Sequence, residues 1–61
     1  MSFTFKRIDK AENESLIEEI HEDYHNGLCI LLEPSGKSES FHEGLNYLVI
    51  DFCDHLVLVY P

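Results

Sequence analysis

Among the 61 residues, the string His21-Glu22-Asp23-Tyr24-His25 is the first that looks chemical. Two histidines four apart share one face of a helix and can hold a zinc ion. A glutamate beside the first can then serve as general base, the H-E-x-x-H logic of metal-assisted peptide hydrolysis. Such a site needs a third ligand, a substrate-binding strand and a cleft. His42, Glu43 and His55 are the available third ligands, none at a recognised spacing, and the chain leaves little room for a cleft. Metal binding by His21 and His25 is therefore the third-ranked reading, behind an ordinary solvated helix flank. No cofactor is expected.

Other chemistry is thinner still. Gly36-Lys37-Ser38 has the ending of a phosphate-binding loop, but the glycine required five residues earlier is Leu31. Cys29 and Cys53 lie in apolar runs with no basic neighbour in sequence, so both are expected as buried, unreactive thiols. Whether they pair is open at this level. No catalytic residue is assigned, and the chain is not expected to be an enzyme.

The remaining constellation is electrostatic. Twelve acidic residues face four basic ones, a formal charge of −8 at pH 7. Lys6, Arg7, Lys10 and Lys37 form no stripe that tracks a phosphate backbone, so direct nucleic-acid binding is not expected. An anionic membrane surface is disfavoured for the same reason. Seven carboxylates fall between residues 9 and 23: Asp9, Glu12, Glu14, Glu18, Glu19, Glu22 and Asp23. On a continuous helix they recur about every 3 Å, close to the ~3.4 Å of phosphates along a DNA strand. Glu18–Glu22 and Glu19–Asp23 are like-charge pairs at i,i+4, which weaken a helix. Glu12, Glu14, Glu18, Glu19, Glu22 and Asp23 are therefore the candidate partner-binding residues, and a basic protein surface is the candidate partner. The competing reading is a face that serves solubility alone.

These residues need a scaffold, and the sequence supplies a coarse one. Residues 2–8 alternate, with Phe3 and Phe5 to one side and Thr4 and Lys6 to the other, as in a half-buried strand. Asp9 with Glu12 three residues later has the form of a capping box, so a helix is expected over 10–25. Leu16, Ile17, Ile20 and Tyr24 make its apolar stripe, and Asn26-Gly27 its end. Residues 28–33 read as a buried strand, 34–37 as a turn, and 37–41 as a hairpin partner. Residues 41–53 fit helix or strand, with a strand over 45–52 slightly favoured. Residues 56–60 read as a strand that is open to pairing with a second copy along its edge. The expected fold is one α+β domain over residues 1–61, a small and mostly antiparallel sheet with the acidic helix on one face. The order is β-α-β-β-β-β, or β-α-β-β-α-β if the ambiguous segment is helical.

A 44% hydrophobic fraction suits a folded chain, although one this short buries only about 60% of its unfolded surface. No signal peptide or membrane-length apolar run is apparent, so a cytoplasmic setting is expected. In size and charge across the whole chain, the protein resembles the small acidic inhibitors of phages and mobile elements, including DNA mimics and some anti-CRISPR proteins. That likeness implies an interaction protein that occupies a basic, nucleic-acid-binding surface; no residue is carried over from it. An immunity or antitoxin protein that neutralises a basic toxin is the second reading.

Overall fold

The computed structural model describes residues 2–34 and 44–61. It is an α+β fold, one helix packed with a four-stranded mixed sheet. The elements are β1 (Thr4–Asp9), a 3₁₀ turn (Lys10–Glu12), α1 (Glu14–His25), β2 (Cys29–Leu32), β3 (Tyr47–Asp51) and β4 (His55–Tyr60). The sheet order is β1-β4-β3-β2. Antiparallel ladders join β1 to β4 and β3 to β4, and β2 pairs with β3 in parallel. Two of the three pairings are thus antiparallel. The strand expected over 37–41 lies outside the described residues, as do His42 and Glu43. The ambiguous segment resolves as strand over Tyr47–Asp51, where a run of sheet formers outweighs the helical spacing.

One expectation is reversed by this order. Residues 56–60 are not an edge: β4 is paired on both sides, Ile8 facing Leu56 across one ladder and Leu56 facing Asp51 across the other. Among the described strands, the sheet edges are β1 and β2.

The core follows from the strand alternation. Ile8, Cys29, Tyr47, Val49, Leu56 and Leu58 share the face that meets α1, and Ile20 of the helix packs among them. Ile20 and Val49 are sealed from solvent, and Leu16, Ile17 and Tyr60 close the margins. The helix sits mainly over β2, at one side of the sheet. Tyr24 departs from the expected stripe and is 46% exposed. Asp23 takes the inward flank in its place, because the Tyr47 hydroxyl below offers it a hydrogen bond.

The helix begins later than the capping box suggested. Asp9 ends β1 and makes no side-chain cap. The chain passes through the 3₁₀ turn, and Asn13 becomes the residue before α1, its carbonyl accepting from Ile17 N–H at 2.9 Å. The Asn13 amide instead donates to the Asp9 carbonyl at 2.9 Å, tying the turn to the strand end. The C-terminus behaves as the sequence implies. Gly27 adopts φ 76°, Leu28 N–H reaches the Asp23 carbonyl at 2.9 Å, and Gly27 N–H reaches that of Tyr24 at 3.1 Å. This pair of bonds is the Schellman arrangement, which a glycine at that position permits at no steric cost.

Candidate acidic binding face

The break at Asn13 redistributes the charge. Asp9 belongs to β1 and Glu12 to the 3₁₀ turn, so α1 itself carries Glu14, Glu18, Glu19, Glu22 and Asp23. Asp23 is half-buried and accepts a 2.6 Å hydrogen bond from Tyr47 Oη. That bond ties Asp23 to the sheet and sets it apart from the fully exposed carboxylates of the expected partner-binding set. Four exposed carboxylates then remain over a helix of about 18 Å, one per roughly 4.5 Å. This is sparser than the phosphates of a nucleic-acid strand, at about 3.4 Å each. Glu14, Glu18 and Glu22 nevertheless form a single outward ridge at i, i+4 and i+8, with Glu19 beside it and Glu12 just before it.

No ion pair to a described residue neutralises this ridge. The basic residues near it are engaged elsewhere. Lys10 Nζ lies 2.7 Å from an Asp51 carboxylate oxygen, and Arg7 Nε lies 3.0 Å from one of Asp9. Glu12, Glu14, Glu18, Glu19 and Glu22 are all exposed, so α1 directs its acidic potential into solvent with no ion pair to a described residue.

Beneath α1 the polar chemistry is structural. Tyr47 is 7% exposed, and its ring lies 5.4 Å from that of Tyr60. Burial, and next the hydrogen bond to Asp23, push the Tyr47 hydroxyl well above the ordinary tyrosine range. The Cys29 thiol faces the Ile20 carbonyl at 3.8 Å, and its pKa is raised chiefly by burial. A protonated, enclosed thiol is a poor nucleophile. Cys53, expected in the core, is exposed in the short loop between β3 and β4, where the strand alternation that would have buried it has ended.

His21 and His25 project to solvent from the outer side of α1. His55 stands on β4 and is committed to other neighbours: its Nδ1 lies 2.6 Å from Asp54, and its ring stacks on Phe52 at 4.5 Å. That histidine contact is the main reason the Asp54 carboxyl is held below the usual range. Among the described residues no three metal-ligating side chains converge. No helix among them is long and apolar enough to cross a membrane.

Fold and surface together define a small α+β domain whose acidic helix has no ion-pair partner among the described residues. Against known protein families, curated proteins and solved structures, the chain shows no match.

Proposed function

We propose that the protein is an interaction module whose α1 ridge docks on a basic protein surface and blocks it. The surface it occupies is one that ordinarily meets nucleic acid, and the role is inhibitory. The observation that carries this reading is the absence of internal compensation among the described residues. Glu12, Glu14, Glu18, Glu19 and Glu22 have no ion-pair partner among the described residues, while Arg7 and Lys10 pair with acids elsewhere. Keeping that ridge is unfavourable for the fold. Three like-charge pairs, Glu14–Glu18, Glu18–Glu22 and Glu19–Asp23, each cost about 0.2–0.5 kcal/mol. Their sum, about 1 kcal/mol, is appreciable against the roughly 3–9 kcal/mol expected for 61 residues. A basic partner turns the same charges into attraction, steering association and fixing orientation.

The test is affinity capture with the wild type and with the Glu18→Lys, Glu22→Lys double variant, at low and at physiological salt. Both side chains face solvent, so the variant should retain the wild-type circular dichroism and thermal midpoint within a few degrees. Partner binding should weaken by several kcal/mol, with added DNA or RNA competing for the same partner. Wild-type binding should also fall steeply with salt, because exposed charges are screened beyond about 8–10 Å. A partner that holds the double variant as tightly as the wild type, without salt dependence, would reduce the ridge to a solubility face.

A further inference from the structure

We propose that the outer edge of β1 pairs with the β1 edge of a second copy, joining two four-stranded sheets into one of eight strands around a two-fold axis at Phe5. The proposal stands apart from the reading of the acidic face and does not depend on it.

The backbone hydrogen bonds show which groups are available. Lys10 donates to the Asp54 carbonyl at 3.0 Å, and Phe52 donates to that of His55 at 2.9 Å. Alternation along the ladders then turns the N–H and C=O of Thr4, Lys6 and Ile8 toward β4. Those of Phe5 and Arg7, with the N–H of Asp9, point outward, where no described strand pairs with them; the Asp9 carbonyl already accepts from the Asn13 amide. The edge is six residues long, contains no proline and has no residue at positive φ, and Phe5 on it is 66% exposed. These are the properties of an edge able to accept another strand.

Charge selects the occupant and the geometry. Two copies of a chain at −8 repel, so they must meet where acidic charge is least. The β1 edge carries Lys6 and Arg7 against Asp9 alone, and α1 lies over β2 at the far side of the sheet. In an eight-stranded sheet joined at β1, the two β2 strands are seven spacings apart, about 34 Å at ~4.8 Å each. That is several times the screening length of about 8 Å, so the helices scarcely sense one another. Joining at the β2 edges would bring both acidic helices to within a few strand spacings.

The register follows from the same reasoning. A two-fold axis at Phe5 sets it against the partner's Phe5 and sets Thr4 against the partner's Lys6. No like charges stand opposite, and an aromatic pair forms at the centre. Moving the axis to Lys6 would place it against the partner's Lys6 at the closer, non-hydrogen-bonded spacing of about 4.5 Å. Moving it to Arg7 would oppose two arginines and set Phe5 against the partner's Asp9.

Sedimentation equilibrium from micromolar to millimolar concentration, at physiological salt, should show the mass doubling. Phe5→Lys should weaken that association at least a hundredfold while leaving the β1–β4 ladder and the circular dichroism unchanged. In a Cys53→Ser background, Phe5→Cys should cross-link on mild oxidation and Lys6→Cys should not, since only residue 5 meets its own mate. The facing Cα atoms there stand about 5.5 Å apart, within disulfide reach. A readout free of substitution is amide exchange in the wild type. Protection of Phe5 and Arg7 N–H should rise with concentration, and that of Lys6 and Ile8 should not. Glu18→Lys, Glu22→Lys should dimerise as the wild type does, which separates this proposal from the acidic-face reading. A chain that stays monomeric to millimolar concentration, a Phe5→Lys variant that associates undiminished, or cross-linking at residue 6 in place of residue 5 would overturn the proposal.

Discussion

Removing one oxygen, in Tyr47→Phe, tests what holds the acidic helix on the sheet. The ring is 7% exposed, and phenylalanine fills the same space, so the hydroxyl is the only loss. That hydroxyl donates to an Asp23 carboxylate oxygen at 2.6 Å. A hydrogen bond to a charged acceptor contributes about 1.5–3 kcal/mol when buried. Asp23 is only half-buried and regains water once released, so a loss nearer about 1–1.5 kcal/mol is expected. For a domain of this size that lowers the thermal midpoint by roughly 5–10 °C. Urea unfolding followed by far-ultraviolet circular dichroism should show a lower midpoint at unchanged slope. A double-mutant cycle with Asp23→Ala isolates the pair, with an expected coupling of about 1 kcal/mol. If Tyr47→Phe is neutral, or if the two changes simply add, then Asp23 does not anchor the helix and belongs again with the exposed ridge.

The inward face of α1 makes a second contrast. Ile20→Ala should cost about 2–4 kcal/mol, while Tyr24→Ala should cost under about 1 kcal/mol, both read from urea midpoints. Thiol titration should find Cys53 reactive in the native protein and Cys29 silent until denaturant is added. Stability should also fall in alkali. Cys29 and Tyr47 are both raised in the folded state above their ordinary 9.0 and 10.0, so the fold retains protons that the unfolded chain releases. Their contribution is complete below those ordinary values and is lost as pH climbs past them, visible as a falling urea midpoint that Tyr47→Phe flattens at its upper end.

Local signals in the sequence were reliable where chain-neighbour physics decides the outcome. Gly27 ends the helix as read, because its cap depends on a few adjacent residues. The 3.6-residue period likewise located Ile20. The same period could not choose between Asp23 and Tyr24 for the inward flank. Both lie near the edge of the apolar arc, and hydrophobicity favours the tyrosine. The deciding group is the Tyr47 hydroxyl, 24 residues away in the chain. Asp9 and Glu12 had the spacing of a capping box, yet the β1–β4 ladder carries Asp9 as a strand residue opposite His55. The position of β4 was equally hidden. An apolar strand such as 56–60 is compatible with an edge or a centre, and only its two ladders distinguish them. For the binding face, the carboxylates themselves were legible. Their lack of counter-ions among the described residues was not, because Lys10 meets Asp51 across 41 residues of sequence.

The central place of β4 also sets the order in which the molecule can be assembled. Asp9 and His55, the nearest-in-sequence partners of the β1 ladder, are 46 residues apart (55 minus 9). At synthesis rates of about 5–20 residues per second, β1 waits roughly 2–9 s for the strand it needs. The helix can form within microseconds, but the sheet has no middle until β4 arrives. Over that interval β1 lacks β4, the one described strand that pairs with it. The β1 edge that meets β4 is therefore completed last in the order of synthesis. Loss of the final strand would leave β1 with no described partner at all.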